Sequence, residues 1–203
     1  MGQHVNYKLR YRTKQARFWA SSYEDKRPEL TNAQRKMLSH YDNATLYNDS
    51  IVAQIVKRFQ KQDAIVIYVP DHGEECYEEN RGFICRNHSA EIDWPLAHYE
   101  FEIPFWIYCS PKYIRNHRDI YRQIRKAKDK RFMTDALPHL LLYLAGIETP
   151  TYKEEYNILS SKYDEMRPRI LKNSADYDKL RDAHLEKIKK EESKKVKKKE
   201  RRN

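Results

Sequence analysis

The chain has 203 residues, enough for one compact domain with its own core plus a tail. Its formal net charge of +10 points first to nucleic acid or anionic membranes. However, the segment from Glu186 to Asn203 holds ten Lys or Arg and four Glu, a net of +6 that leaves +4 for the rest. The basic character therefore belongs largely to the tail, where solubility and weak electrostatics explain it, and no RRM, KH, zinc-finger or helix-turn-helix signature supports a specific nucleic-acid site. No run approaches the roughly 18 apolar residues of a membrane span, and the first residues lack a charged-then-apolar signal pattern, so the chain as written is expected to be soluble. Cys76, Cys85 and Cys109 lack zinc-ribbon spacing; Cys76 and Cys85 either close a short loop or remain buried thiols.

From Thr31 to Gln62, apolar or small residues such as Met37, Tyr41, Ala44, Ile51, Ile55 and Phe59 recur at helical spacing and predict a long amphipathic helix. Asp63 breaks the pattern. Ala64 to Val69 is short, β-branched and apolar throughout, which reads as a strand buried on both faces at the centre of a parallel sheet. Helix followed directly by such a strand predicts a layered α/β fold.

The polar stretch from Pro70 to Glu100 reads as a long loop. Phe101 to Cys109 is a second strand candidate, with Pro104 marking an edge or an irregular start. A basic, partly helical stretch follows from Pro111 to Lys130. Thr134 is placed to cap a short apolar helix running through Ala145, with Pro138 in its first turn and Gly146 as its stop. Beyond Pro150 the chain turns to Tyr, Lys, Arg and Glu; Leu171, Leu180, Leu185 and Ile188 support a surface helix that runs out into a solvated tail.

Chemistry concentrates just past the first strand, where open α/β sheets gather their functional groups. Asp71 and His72 offer a carboxylate oxygen and an imidazole nitrogen, both good zinc ligands, on a turning backbone. Gly73 is expected to permit a sharp bend. Glu74 and Glu75 add negative charge that favours a dication, and one of them could orient His72 by a hydrogen bond. A bare turn explains Asp-His-Gly about equally well until the flanking segments are considered.

Those segments carry a resemblance. Ile65 through Glu74, "IVIYVPDHGE", is similar to the strand and "SDHGE" motif of the lipid phosphoethanolamine transferases, sulfatase-like enzymes of the alkaline phosphatase superfamily. Gly2-Gln3-His4 followed by Tyr7-Lys8-Leu9-Arg10-Tyr11 resembles that family's "GSH…YYKRYP" segment. Tyr41 to Asp49 resembles its "YDNTVLYTD" helix, and Glu102 to Trp106 its "VPF-W" strand. The likeness covers roughly residues 1–148 and is specific as a combination.

The resemblance implies a sulfatase-like layered fold with a mostly parallel sheet flanked by helices and incomplete at its N-terminus. It would occupy residues 1–150, followed by a basic helical or partly disordered tail over 151–203. It implies that Asp71 and His72 are zinc ligands and that His4 lies near the metal against the phosphoryl group. His88 matches a further site histidine less closely, and His98 competes for that role. The threonine nucleophile and a glutamate ligand of the family lie upstream of the "GSH" segment, so this chain is expected to be a C-terminal portion, inactive alone. Phosphatidylethanolamine as donor, lipid A or a core sugar as acceptor, an N-terminal membrane anchor and a periplasmic catalytic domain at the inner membrane all follow from the family. A sulfatase or phosphatase of the same superfamily, or a non-catalytic basic binding module on the same scaffold, are the alternatives.

Overall fold

The structure is a computed structural model that describes residues 5–82, 84–85 and 91–200, with the side chains of 80, 84, 85 and 196–200 excepted. It divides into two compact units, residues 1–90 with 98–112, and residues 91–97 with 113–203.

The first unit is built on α1 (Asn32–Phe59). Thr31 opens this helix through a reciprocal box: its Oγ1 accepts from Gln34 N–H at 3.2 Å and Gln34 Oε1 accepts from Thr31 N–H at 2.8 Å. The helix thus starts and stops close to the ends that its periodicity predicts. The preceding segment, with 3-10 turns at Tyr7–Leu9 and Ala20–Tyr23, lies along α1. Buried Tyr23, Leu30, Leu38, Cys76 and Tyr77 form one core cluster with Tyr41 against it.

After α1 the chain enters β1 (Ile65–Tyr68), which pairs with β4 (Trp106–Cys109). The register sets Tyr68 opposite Trp106, and their rings stack at 5.2 Å. Buried Ser110 closes the far end of the ladder, with its N–H donating to Ala64 O and its Oγ to Gln62 O.

The first strand expectation holds in position and the second holds only over Trp106–Cys109, Phe101 closing a helix instead; the pairing also differs. β1 and β4 run antiparallel, as do β2 (Glu75–Cys76) with β3 (Ile84–Cys85), and no parallel pair occurs among the described residues. β1 is half-buried along its length, with one hydrogen-bonded neighbour among the described residues. An apolar β-branched run specifies an extended backbone and little more. Strand direction is set by a partner distant in sequence.

The predicted long loop also contains more structure than its composition suggests. Besides the β2–β3 hairpin it holds α2 (Trp94–Phe101), whose start is capped by Asp93 Oδ1 accepting from Leu96 N–H at 3.0 Å. Cys76 and Cys109 are free thiols, and burial pushes the Cys76 thiol well above its ordinary value. The side chain of Cys85 lies outside the described residues.

The second unit carries α3 (Pro111–Asn116), α4 (Arg118–Ala127) and α5 (Leu137–Ala145) in the order its composition suggests. Thr134 does not cap α5; it opens a single 3-10 turn, and α5 begins after it. Gly146 ends the helix in the left-handed region, at φ 65°. A two-stranded ribbon, β5 (Ile170–Leu171) with β6 (Ala175–Asp176), leads into α6 (Tyr177–Glu200), a continuous helix exposed at every described side chain from Leu185 to Lys195.

Asp178, at the start of α6, gathers three guanidinium groups: Arg169 at 2.6 Å, Arg131 at 2.5 Å and Arg181 at 3.3 Å. Hydrogen bonding from Arg169 foremost holds its carboxyl below the usual aspartate range, against the opposing effect of burial. A depressed folded-state pKa adds stability above the unfolded value of about 3.9, and that stability is lost as pH falls through the folded value. Denaturant melts are therefore expected to show a steeper loss of stability below about pH 4 in the wild type than in Asp178→Asn, which is itself about 2 kcal/mol weaker at neutral pH.

Candidate metal centre

The Asp-His-Gly-Glu segment leaves the carboxyl end of β1 and lines a cleft of about 310 Å³ with Tyr41 and Asn48 of α1 and Tyr68 of β1. Within it His72 is mostly buried and Asp71 projects into solvent, the side chains being 13% and 88% exposed. His72 Nδ1 lies 2.7 Å from Gly73 O. A carbonyl can only accept, so in the neutral ring Nδ1 carries the proton and Nε2 keeps its lone pair. That Nε2 stands 3.5 Å from Asp71 Oδ2. Two ligands of one tetrahedral zinc at ordinary bond lengths are separated by about 3.3 to 3.5 Å. The donor types, tautomer and spacing all fit a shared cation.

Gly73 serves this geometry differently from the bend expected of it. Its N–H donates to Glu100 O at 2.8 Å, and a Cβ at this position would lie 2.2 Å from Tyr99 O. The glycine is there so that the backbone after His72 can press against the end of α2. The two glutamates also have duties of their own. Glu74 Oε2 accepts from Tyr7 O–H at 2.5 Å, while fully buried Glu75 pairs at 2.9 Å with Arg81 in the connection between β2 and β3. Tyr7 is buried and meets Tyr41 edge-on at 5.3 Å, so the N-terminal segment, α1 and the motif are tied together. Local sequence gives no sign of the Tyr7–Glu74 contact, which spans 67 residues; only the joint resemblance of both segments to one family places them near each other.

Of the other candidates, His4 and His88 lie outside the described residues. His98 sits on α2, 2.9 Å from Glu102 and against the Tyr99 ring. Among the described residues no group of three or more His, Cys, Asp or Glu is arranged to hold a metal, so Asp71 and His72 stand as a pair. Tyr41 and Tyr68 line this cleft as well.

The sulfatase family model matches residues 1–147, and the chain belongs to that family. Within it, the chain is similar to phosphoethanolamine transferases. It is 30% identical over 168 residues to phosphoethanolamine transferase EptC of Escherichia coli O18:K1:H7, a match covering 81% of this chain and 28% of that protein. It is 30% identical over 133 residues to the Kdo(2)-lipid A phosphoethanolamine 7''-transferase of Escherichia coli K12, covering 64% of this chain and 22% of that enzyme. The C-terminal periplasmic domain of Escherichia coli EptC, solved in complex with Zn, superposes with a TM-score of 0.70 at 27% identity, over 89% of this chain and 50% of the solved one. This chain thus spans about half of that domain and under a third of the curated relatives. No helix among the described residues is long and apolar enough to cross a membrane.

Proposed function

We propose that this chain forms the distal half of the catalytic domain of a zinc-dependent phosphoethanolamine transferase. The enzyme moves phosphoethanolamine from phosphatidylethanolamine to lipid A or a core sugar at the periplasmic face of the inner membrane. The observation that carries the reading is the Asp71–His72 pair, with two zinc-type donors 3.5 Å apart and the imidazole held in the ligating tautomer.

Asp71 and His72 would hold zinc. When bound, the metal lowers the pKa of a coordinated hydroxyl and offsets charge on the phosphoryl oxygens. The remaining ligands and the threonine nucleophile come from the part of the domain that this chain does not span. His4 and His88 complete the site by stabilising phosphoryl oxygens or passing a proton to the leaving group. The threonine oxygen attacks phosphorus and diacylglycerol leaves with a proton. An acceptor hydroxyl then displaces the threonine. Tyr41 and Tyr68, which line the cleft, meet the ethanolamine ammonium, and the remainder of the domain adds the parallel strands to the edge of β1 that has no partner among the described residues.

The test is complementation. The gene with its upstream sequence is expressed in a strain lacking its own phosphoethanolamine transferases, and lipid A and core are read by mass spectrometry. Added phosphoethanolamine that vanishes with Asp71→Asn or His72→Ala is expected. Loss of phosphate or sulfate from the saccharide in its place would move the chain to the hydrolases of the superfamily.

A further inference from the structure

A second cleft in the first unit, about 390 Å³, is lined by Lys8, Tyr11, Phe18, Trp19, Lys36 and His40 and shares no residue with the Asp71 cleft. Its surroundings are unusually one-sided in charge. Lys8, Arg10, Arg12, Lys14 and Arg17 precede the first acidic residue of the chain, Glu24. Among the described residues Lys8, Arg12, Lys14 and Lys36 make no ion pair. Burial, then the charges of Lys8 and Lys36, push His40 below its ordinary value, as expected where positive potential is not neutralised.

Apolar groups stand in the same surface. Trp19 is 58% exposed, Phe18 36% and nearby Leu9 81%. These aromatics are held in place. Buried Asn43 accepts from the N–H groups of Arg17 and Phe18 at 2.6 and 3.1 Å and donates to Phe18 O at 2.8 Å, fixing the backbone that presents both rings outward.

Indole and aliphatic side chains exposed among unpaired Lys and Arg match the headgroup layer of an anionic bilayer, where the rings enter the apolar boundary and the cations meet phosphates. We propose that the Lys8–Trp19 surface docks on an anionic phospholipid membrane, with Trp19 and Phe18 inserted and Lys8, Lys14 and Lys36 against the phosphates. A polyanion such as RNA matches the cations but leaves three exposed apolar side chains without a role. The Lys-rich α6 carries charge without exposed aromatics, so binding through it leaves Trp19 in water.

The experiment uses the whole chain and vesicles of phosphatidylcholine, with or without phosphatidylglycerol, containing brominated acyl chains. Partition is expected only with the anionic lipid, with tryptophan emission quenched by bromine. Trp19→Phe should bind about as well yet lose most of that quenching, and Lys14→Ala should reduce partition about fivefold. Quenching unchanged in Trp19→Phe, equal binding to neutral vesicles, or binding to a single-stranded RNA but not to vesicles would each overturn the proposal. Neither zinc nor turnover enters the readout, so failure here leaves the transferase reading untouched.

Discussion

Gly73→Ala is expected to lower the melting temperature by roughly 5–10 °C and to weaken zinc binding at the same time. The added Cβ would lie 2.2 Å from Tyr99 O, a collision with backbone that no side-chain rotation relieves. Relief requires the motif to move away from α2, which lengthens the 2.8 Å bond from Gly73 N–H to Glu100 O. Overpacking of this kind costs about 1–3 kcal/mol, or a few degrees per kcal/mol in a chain of this size. The same shift moves Gly73 O, the acceptor that sets the His72 tautomer. Calorimetric melting together with zinc titration tests both halves; a variant as stable as the wild type would show that the close approach is not real.

Asn43→Ala is expected to cost about 2–4 kcal/mol. The Asn43 side chain is 2% exposed and makes four hydrogen bonds, to Arg17 N–H, Phe18 N–H, Phe18 O and Ser39 O. Truncation strands backbone groups of a segment that lacks a helix or sheet to take them up. Because that segment continues from Tyr7, which bonds Glu74, its release should propagate to the Asp71–Glu74 segment. Chemical denaturation measures the loss, and hydrogen exchange should show residues 16–19 opening ahead of α1. A loss below about 1 kcal/mol would mean that the segment is held elsewhere.

Much of the fold was legible because it is local. Helical periodicity and Thr31 set α1, β-branching set β1, and Gly146 set the end of α5. What escaped was long-range. The antiparallel partner of β1 lies about forty residues on, and nothing in Ile65–Tyr68 encodes its direction. α2 hides in a stretch that reads as loop, since Trp94–Phe101 is apolar on several sides, contains Pro95 and shows no clear period. At the site, adjacency after a strand brings Asp71 and His72 forward, and the resemblance of the flanking segments is what favours a metal pair over a bare turn. The reasons for Gly73 and Glu74 were not visible, because Tyr99 O and Tyr7 reach them across 26 and 67 residues.

Asp71 and His72 are proposed as ligands of one zinc ion. That assignment is tested most directly by competitive zinc titration of the protein with Asp71→Asn, His72→Ala and, as a comparison, His98→Ala. Loss of more than about a hundredfold in affinity for the first two, with little change for the third, is the predicted result. Zinc held at wild-type affinity after both Asp71 and His72 are replaced would contradict it.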